Sequence, residues 1–418
     1  MSTNSVIVRR LHVAVATFIS LACLISPLPA FAQTEAPKDT LRPEIAKPLQ
    51  PLQELIKEKK FPEALAKIRE ADAVANKTPY EQYVVDRMYG AVGVGSGDNA
   101  MAAKAIEAVI KSPHLPAAEK TRFTEALVAT FMRTKDYANV TRWAKEAVKD
   151  PAAQMETRLA LAQSYYLAND FANAATEFRG LVARAEAAGQ TPPQDQLRLI
   201  AASSHKINDN AGYAAVLEKL VTHYPSKEYW TDLIYRIETQ KTFADRLLLD
   251  SYRLKFALGL LSVANEFIDM AELSTQAGLP VEALKVLDQG FADGILGKEG
   301  DLARQKKMRE AAAKEVAEEK KRAAKGDASS AKTGQALLNN GFDLVLKGDA
   351  PKGLEMMARG MTMADVKRPD DARLRYGIAL VLAGEKAKAL DVFKTVTGND
   401  GGVDLARLWS LYAAQKAA

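Results

Sequence analysis

The sequence predicts an all-α protein built from stacked helix–turn–helix units. Three observations predict it. Apolar residues recur at helical spacing through most of 51–412. Short turns carrying an acidic residue fall at Asp98, Asp136, Asp170 and Asp209, separated by 38, 34 and 39 residues, and a period of this size is the mark of a helical repeat array. No stretch alternates polar and apolar residues as a half-buried strand would.

From its start, the chain opens on a stretch with the features of an export signal. Arg9 and Arg10 precede a mostly apolar run, Leu11 to Leu28, and Ala30-Phe31-Ala32 is a small-x-small cleavage pattern. Pro27 and Pro29 break the run, which argues against a retained membrane helix. Cleavage is expected after Ala32, leaving 386 of the 418 residues. The single cysteine, Cys23, lies within 1–32, so the mature chain would have neither disulfide nor thiolate chemistry. A chain of this length buries enough core to dispense with disulfides. Absence of cysteine from an exported protein this large points to the bacterial periplasm, and no later apolar run is long enough to span a membrane.

Residues 33–50, with Pro37, Pro43 and Pro48, read as an extended leader. Helical units follow over 51–297. Their turns are Lys60-Phe61, Gly97-Asp98, Lys135-Asp136, Asn169-Asp170, Asn208-Asp209 and Gly278-Leu279-Pro280. One unit is degenerate: Arg246 and Asp250 stand where small and aromatic side chains should pack. The clearest runs from Met155 to Glu186. Leu161, Ala162 and Tyr165 lie on one face of its first helix, Ala174 and Phe178 on one face of its second. Small Ala162 and Ala174 let the helices approach, and Tyr165 and Phe178 fill the space beside them.

Residues 298–332 change character. They carry 11 basic and 7 acidic side chains on a pattern rich in alanine, which predicts a charged, solvated helix followed by a linker; contact with anionic lipid or polysaccharide is the sharper alternative. The full chain's net charge of +5 is set by this segment and by Arg9 and Arg10, so it gives no ground for nucleic-acid binding. Residues 333–418 hold two crisp units, with turns at Gly348-Asp349 and Gly384-Glu385, and a last helix carrying Leu405, Leu408, Trp409 and Tyr412 that would cover the array's end.

Leu161, Tyr165, Ala174 and Phe178 match the signature of the tetratricopeptide repeat, with Arg158 in place of its Trp, Ala162 of its Gly and Glu186 of its closing Pro. The chain resembles an exported bacterial protein of that superfamily, with about eight repeats in two blocks. The resemblance implies that each unit's first helix lines a concave groove that holds peptides. Carried over residue by residue, it places Arg87, Arg122, Met132, Arg133, Gln163, Tyr166, Arg198, His205 and Lys206 in a basic front groove suited to a carboxylate or acidic segment. It places Leu338, Phe342, Val345, Leu374, Ile378 and Val381 in an apolar rear groove, which would be a partner contact, a homo-oligomer interface or internal packing.

No catalytic, metal or cofactor motif stands out. His114, His205 and His223 are not at metal-ligand spacing. Gly90, Gly93, Gly95 and Gly97 follow a helix rather than a strand, which excludes a dinucleotide fingerprint and reads as a chain turning between helices. Ser203 with Lys206, and Ser329 with Lys332, match Ser-x-x-Lys, and Lys332-Thr333-Gly334 matches a second element of serine transpeptidases. Lys332 cannot serve both elements, and no strand pattern surrounds it. The expected function is a non-catalytic periplasmic scaffold or adaptor for an envelope protein or peptide. A glycan-binding module of a cell-wall or polysaccharide assembly system is the alternative, and an enzyme comes third.

Overall fold

The computed structural model describes residues 39–298, 300–324 and 332–415. The expected signal segment, the leader up to residue 38 and the linker's glycine–serine stretch lie outside them. Among the described residues the regular structure is entirely helical. The chain divides into two compact units, to Val216 and from Leu217.

The N-terminal unit holds α1 (Pro43–Leu49), α2 (Leu52–Lys57), α3 (Phe61–Asp72), α4 (Pro79–Ser96), α5 (Asn99–Lys111), α6 (Ala117–Thr134), α7 (Tyr137–Ala147), α8 (Met155–Leu167), α9 (Phe171–Ala187) and α10 (Gln194–Lys206). Successive helices from α3 onward pack on one another as hairpins, the architecture the periodicity predicts. The turns repeat one local device. Gly97, Lys135, Asn169 and Asn208 adopt left-handed backbone with φ of 80°, 60°, 61° and 56°, which ends each first helix. The aspartate that follows at 98, 136 and 170 then accepts the backbone N–H of Met101, Asn139 and Asn173 and caps the second helix.

Of the glycines between 90 and 97, only Gly97 turns the chain. Gly90, Gly93 and Gly95 lie inside α4, and a Cβ on Gly93 would stand 2.6 Å from the Ala102 amide nitrogen. The role of Gly90 and Gly93 is close approach of α4 and α5.

The expected leader is corrected over its second half. Pro43–Leu49 is helical, and its i,i+4 pair Ile45 and Leu49 is buried, α1 packing on α3. Proline at the first helical position fits a helix start. Arg42 anchors this entry. Its Nε and Nη2 donate to the two carboxylate oxygens of Glu81 at 2.8 and 2.9 Å, and its backbone N–H donates at 3.0 Å. Glu81 also completes a capping box with Thr78 at the start of α4. The Arg42 hydrogen bond, opposed by burial, holds the Glu81 carboxyl at about 2.

The helix Asn210–His223, α11, crosses the division. The C-terminal unit continues with α12 (Lys227–Glu238), a 3-10 turn (Asp245–Leu247), α13 (Leu248–Ala257), α14 (Ala264–Gln276), α15 (Pro280–Ala292), α16 (Leu302–Ala324), α17 (Gly334–Leu346), α18 (Ala350–Met361), α19 (Pro369–Leu382), α20 (Lys386–Phe393) and α21 (Gly402–Gln415). The α17–α18 hairpin is close-packed at its backbone, where a Cβ on Gly353 would meet the Gly341 carbonyl oxygen at 2.4 Å. The charged segment forms α16 and packs along α15.

The sequence places the chain's division within 298–332; the compact units instead divide between Val216 and Leu217. The degenerate repeat supplies the physical reason. Arg246 donates from Nε to Asp371 at 2.9 Å and pairs with Asp400, while Ala244 N–H donates to the Asp400 carbonyl. The last helix does more than cover an end. It packs on α19 and α20 and also on α12 and α13, where the Trp409 indole donates to the Asp250 carbonyl at 3.3 Å and Tyr412 Oη to that of Ala257.

Candidate partner-binding face

The front-groove residues are carried by the first helix of each N-terminal hairpin: Arg87 on α4, Arg122, Met132 and Arg133 on α6, Gln163 and Tyr166 on α8, Arg198, His205 and Lys206 on α10. Arg87 and Arg122 come together. Arg87 Nη2 lies 3.3 Å from Glu119 Oε2, and Arg122 Nη2 lies 4.0 Å from the same oxygen. Both guanidinium groups stand over the Phe123 ring, at 5.2 and 6.0 Å from its centroid, and Arg87 also donates to Tyr83 Oη at 2.8 Å. Two cations thus share one carboxylate above an aromatic platform. The hydrogen bonding is incomplete: Arg122 Nε and Nη2 and Glu119 Oε2 have no hydrogen-bond partner.

The other front residues divide by exposure. Arg133 is exposed, donating to Asn99 Oδ1 at 2.9 Å and Thr130 Oγ1 at 3.1 Å. Tyr166 is half-buried, edge-on to Phe171 at 5.5 Å, and burial pushes its hydroxyl pKa up. Arg198 is half-buried, whereas His205 and Lys206 are exposed. Gln163 is corrected: it is buried among the helices and presents no surface. Glu125, missed in the sequence, sits near Arg122 on α6 and accepts the Gln154 backbone N–H at 2.6 Å; burial raises its pKa.

The rear residues are corrected as a group. Leu338, Phe342, Val345, Leu374, Ile378 and Val381 are all buried in the C-terminal unit. Phe342 is 3 % exposed and has the Arg253 guanidinium 4.4 Å above its ring. The apolar row is internal packing of α17 and α19, which is one of the three readings the sequence allows and leaves a partner or a second copy no surface on it.

That packing contains an ionic cluster. Arg253 donates to Glu282 Oε1 and Oε2, both at 2.7 Å, and to Asp250 Oδ1 at 2.5 Å. Arg375 Nε approaches Asp250 Oδ2 at 3.5 Å, and Ser274 Oγ donates to Glu282. Burial opposes the charge on Arg253, but Glu282 and Asp250 outweigh it and raise its pKa. Asp343 lies at the edge of this cluster, buried, with Oδ1 lacking a hydrogen-bond partner. Desolvation first, then repulsion from Glu319 and Glu282, pushes its pKa to about 7 against the pull of Lys347 and Arg253.

A raised carboxyl pKa means that the folded state holds a proton the unfolded chain releases near pH 4. The C-terminal unit should therefore lose stability as pH rises from about 4 to about 7, with the full cost present above that range. Asp343→Asn should remove this dependence and raise stability at pH 8 by roughly 2–4 kcal/mol. Urea unfolding of both proteins across pH checks it; parallel pH profiles would contradict the assignment.

The Ser-x-x-Lys match at Ser203 is not a working pair: the serine is buried and Lys206 exposed. Thr333 of the Lys-Thr-Gly match caps α17 by accepting the Ala336 N–H, so that element begins a helix. Ser329 lies outside the described residues. Among the described residues no group of three or more His, Cys, Asp and Glu side chains could hold a metal ion, and no helix is long and apolar enough to cross a membrane.

No protein-family model and no curated protein matches the chain. Among solved structures, a chain of Naa15/Naa10 bound to HypK-THB matches at 16% identity with a TM-score of 0.30 over 90% of this chain, which spans 60% of that chain's length. The helical hairpins and their capped turns make the described residues an all-α array of helix–turn–helix units.

Proposed function

We propose that the chain is a non-catalytic adaptor of the bacterial periplasm that holds an acidic or carboxylate-ended segment of another envelope protein on its N-terminal unit. The observation that carries this is the shared Glu119. Arg87 and Arg122 converge on one carboxylate through long contacts, which leaves guanidinium N–H groups unsatisfied. Those buried groups are not themselves open to a partner, but the Arg122 side chain keeps 35 % of its surface exposed, and arginine is suited to binding a carboxylate through two hydrogen bonds at once. Arg133, Arg198, His205 and Lys206 extend the basic row along the same set of first helices, and half-buried Tyr166 adds an aromatic contact. The periplasmic assignment rests on Arg9-Arg10, the apolar run and Ala30-Phe31-Ala32, together with a mature chain lacking cysteine.

Photocrosslinking probes at Tyr166 and His205 in the native envelope should yield a discrete protein adduct. Arg122→Glu combined with Arg133→Glu should reduce that adduct at least about tenfold, since each reversal replaces attraction by repulsion at a charged contact. An unchanged adduct would dispose of the front face as the holding surface. Mass spectrometry of the processed chain should find Gln33 at its N-terminus, and an intact Arg9–Leu28 stretch would contradict export with cleavage.

A further inference from the structure

We propose that α16 docks on an anionic phospholipid surface through a stripe of free lysines. The helix Leu302–Ala324 has 23 residues. Its inner face lies on α15 and buries Gln305 and Ala312. Charges flanking that face are consumed by the fold: Arg304 pairs with Glu272, Arg309 with Asp288 at 2.5 Å and Glu319 with Lys347 at 3.5 Å. Two more pairs close within the helix, Arg322 with Glu315 and Lys321 with Glu318, each at 2.8 Å.

Lys306, Lys307, Lys314 and Lys320 remain, all exposed and none within ion-pair distance of an acid among the described residues, with Glu310 and, four positions from Lys314, Glu318 as the acids beside them. At about 100° per residue Lys306, Lys307 and Lys314 lie on the side away from buried Gln305 and Ala312 and Lys320 on its flank, the four together covering an arc of roughly 140°. Along the axis they extend about 20 Å. The arginines of α16 are paired and the free cations are lysines. Lysine is a flexible point charge without arginine's two-pronged recognition geometry. A broad arc of such charges suits a diffuse plane of headgroups, which all four can reach. A single polymer strand would touch only a narrow row. This face carries no aromatic side chain to stack on sugar rings, and exposed Leu302, on the Lys320 flank at the helix start, is its one large apolar side chain, so contact would be mainly electrostatic and peripheral.

The test uses the chain as the cell processes it, with phosphatidylcholine vesicles with or without phosphatidylglycerol. Co-sedimentation should appear with the anionic vesicles alone and fall steeply with added salt. Reversing Lys306, Lys307, Lys314 and Lys320 to glutamate should weaken it at least about 100-fold, since each lysine near an anionic surface contributes about fivefold. Circular dichroism should show unchanged helix content. Reversing four exposed lysines of the N-terminal unit, Lys57, Lys59, Lys104 and Lys111, alters net charge equally and should leave binding unchanged. Equal binding to both vesicle types, retained binding in the first variant or equal loss in the second would overturn the proposal. So would binding to a soluble anionic polysaccharide with none to vesicles.

Discussion

Replacing Arg253 with alanine is expected to destabilise the C-terminal unit by about 3–5 kcal/mol, the usual cost of removing one partner from a buried ionic pair. The side chain is 4 % exposed and Asp250 is 0 % exposed, so neither carboxylate it serves can turn to water for compensation. Three hydrogen bonds are lost at once, two to Glu282 and one to Asp250, together with the cation above Phe342. Most of the cost comes from the carboxylates left behind. Adding Asp250→Asn and Glu282→Gln to Arg253→Ala should therefore recover a substantial part of it, although the cavity remains. Urea unfolding gives the free energies, and hydrogen exchange locates the loss. A single variant within about 1 kcal/mol of the parent would show that the cluster is already compensated by rearrangement or water.

The contrast between this cluster and the turns shows what was legible in the sequence. Helix ends are local: a left-handed residue followed by a capping aspartate is decided within a few positions, so Asn169-Asp170 and Lys135-Asp136 can be read directly. Helix pairing within a hairpin is almost as local, because small residues such as Gly341 and Gly353 must face each other. Packing between distant repeats is not local. Arg246 meets Asp371 across 125 positions, and Trp409 reaches the Asp250 carbonyl across 159. The pattern exposes Arg246 and Asp250 as misfits to a repeat but cannot say what they meet.

The candidate site divides along the same line. Regular stacking assigns first-helix positions to a groove, and Arg122, Arg133 and Tyr166 do keep side-chain surface on their first helices. It fails for Phe342 and Ile378, since the C-terminal unit folds α13 and α21 back among its repeats and buries that row. Asp343 was illegible for a related reason. An aspartate on a helix of an array reads as surface, and its perturbed acidity arises from Glu319 and Glu282 on two other helices. The export features of residues 1–32 are compositional and rest on the sequence alone.

Trp409→Ala should cost the same unit about 3–5 kcal/mol, the range for truncating a fully buried aromatic. Its side chain is 0 % exposed, lies edge-on to Tyr412 at 5.5 Å, and belongs to a helix that packs on both α12–α13 and α19–α20. The loss should therefore spread beyond α21. Amides of α13 and of α19 should both exchange faster, whereas those of α4 to α9 should not change. Trp409→Phe separates packing from hydrogen bonding. It keeps much of the ring volume but leaves the Asp250 carbonyl without the indole donor, at a cost of about 1–2 kcal/mol. Exchange confined to α21 in the alanine variant would mean that the last helix is a detachable cover. Coupled exchange in α13 and α19 would make Trp409 the point at which the degenerate repeat and the terminal repeat are held in one folding unit.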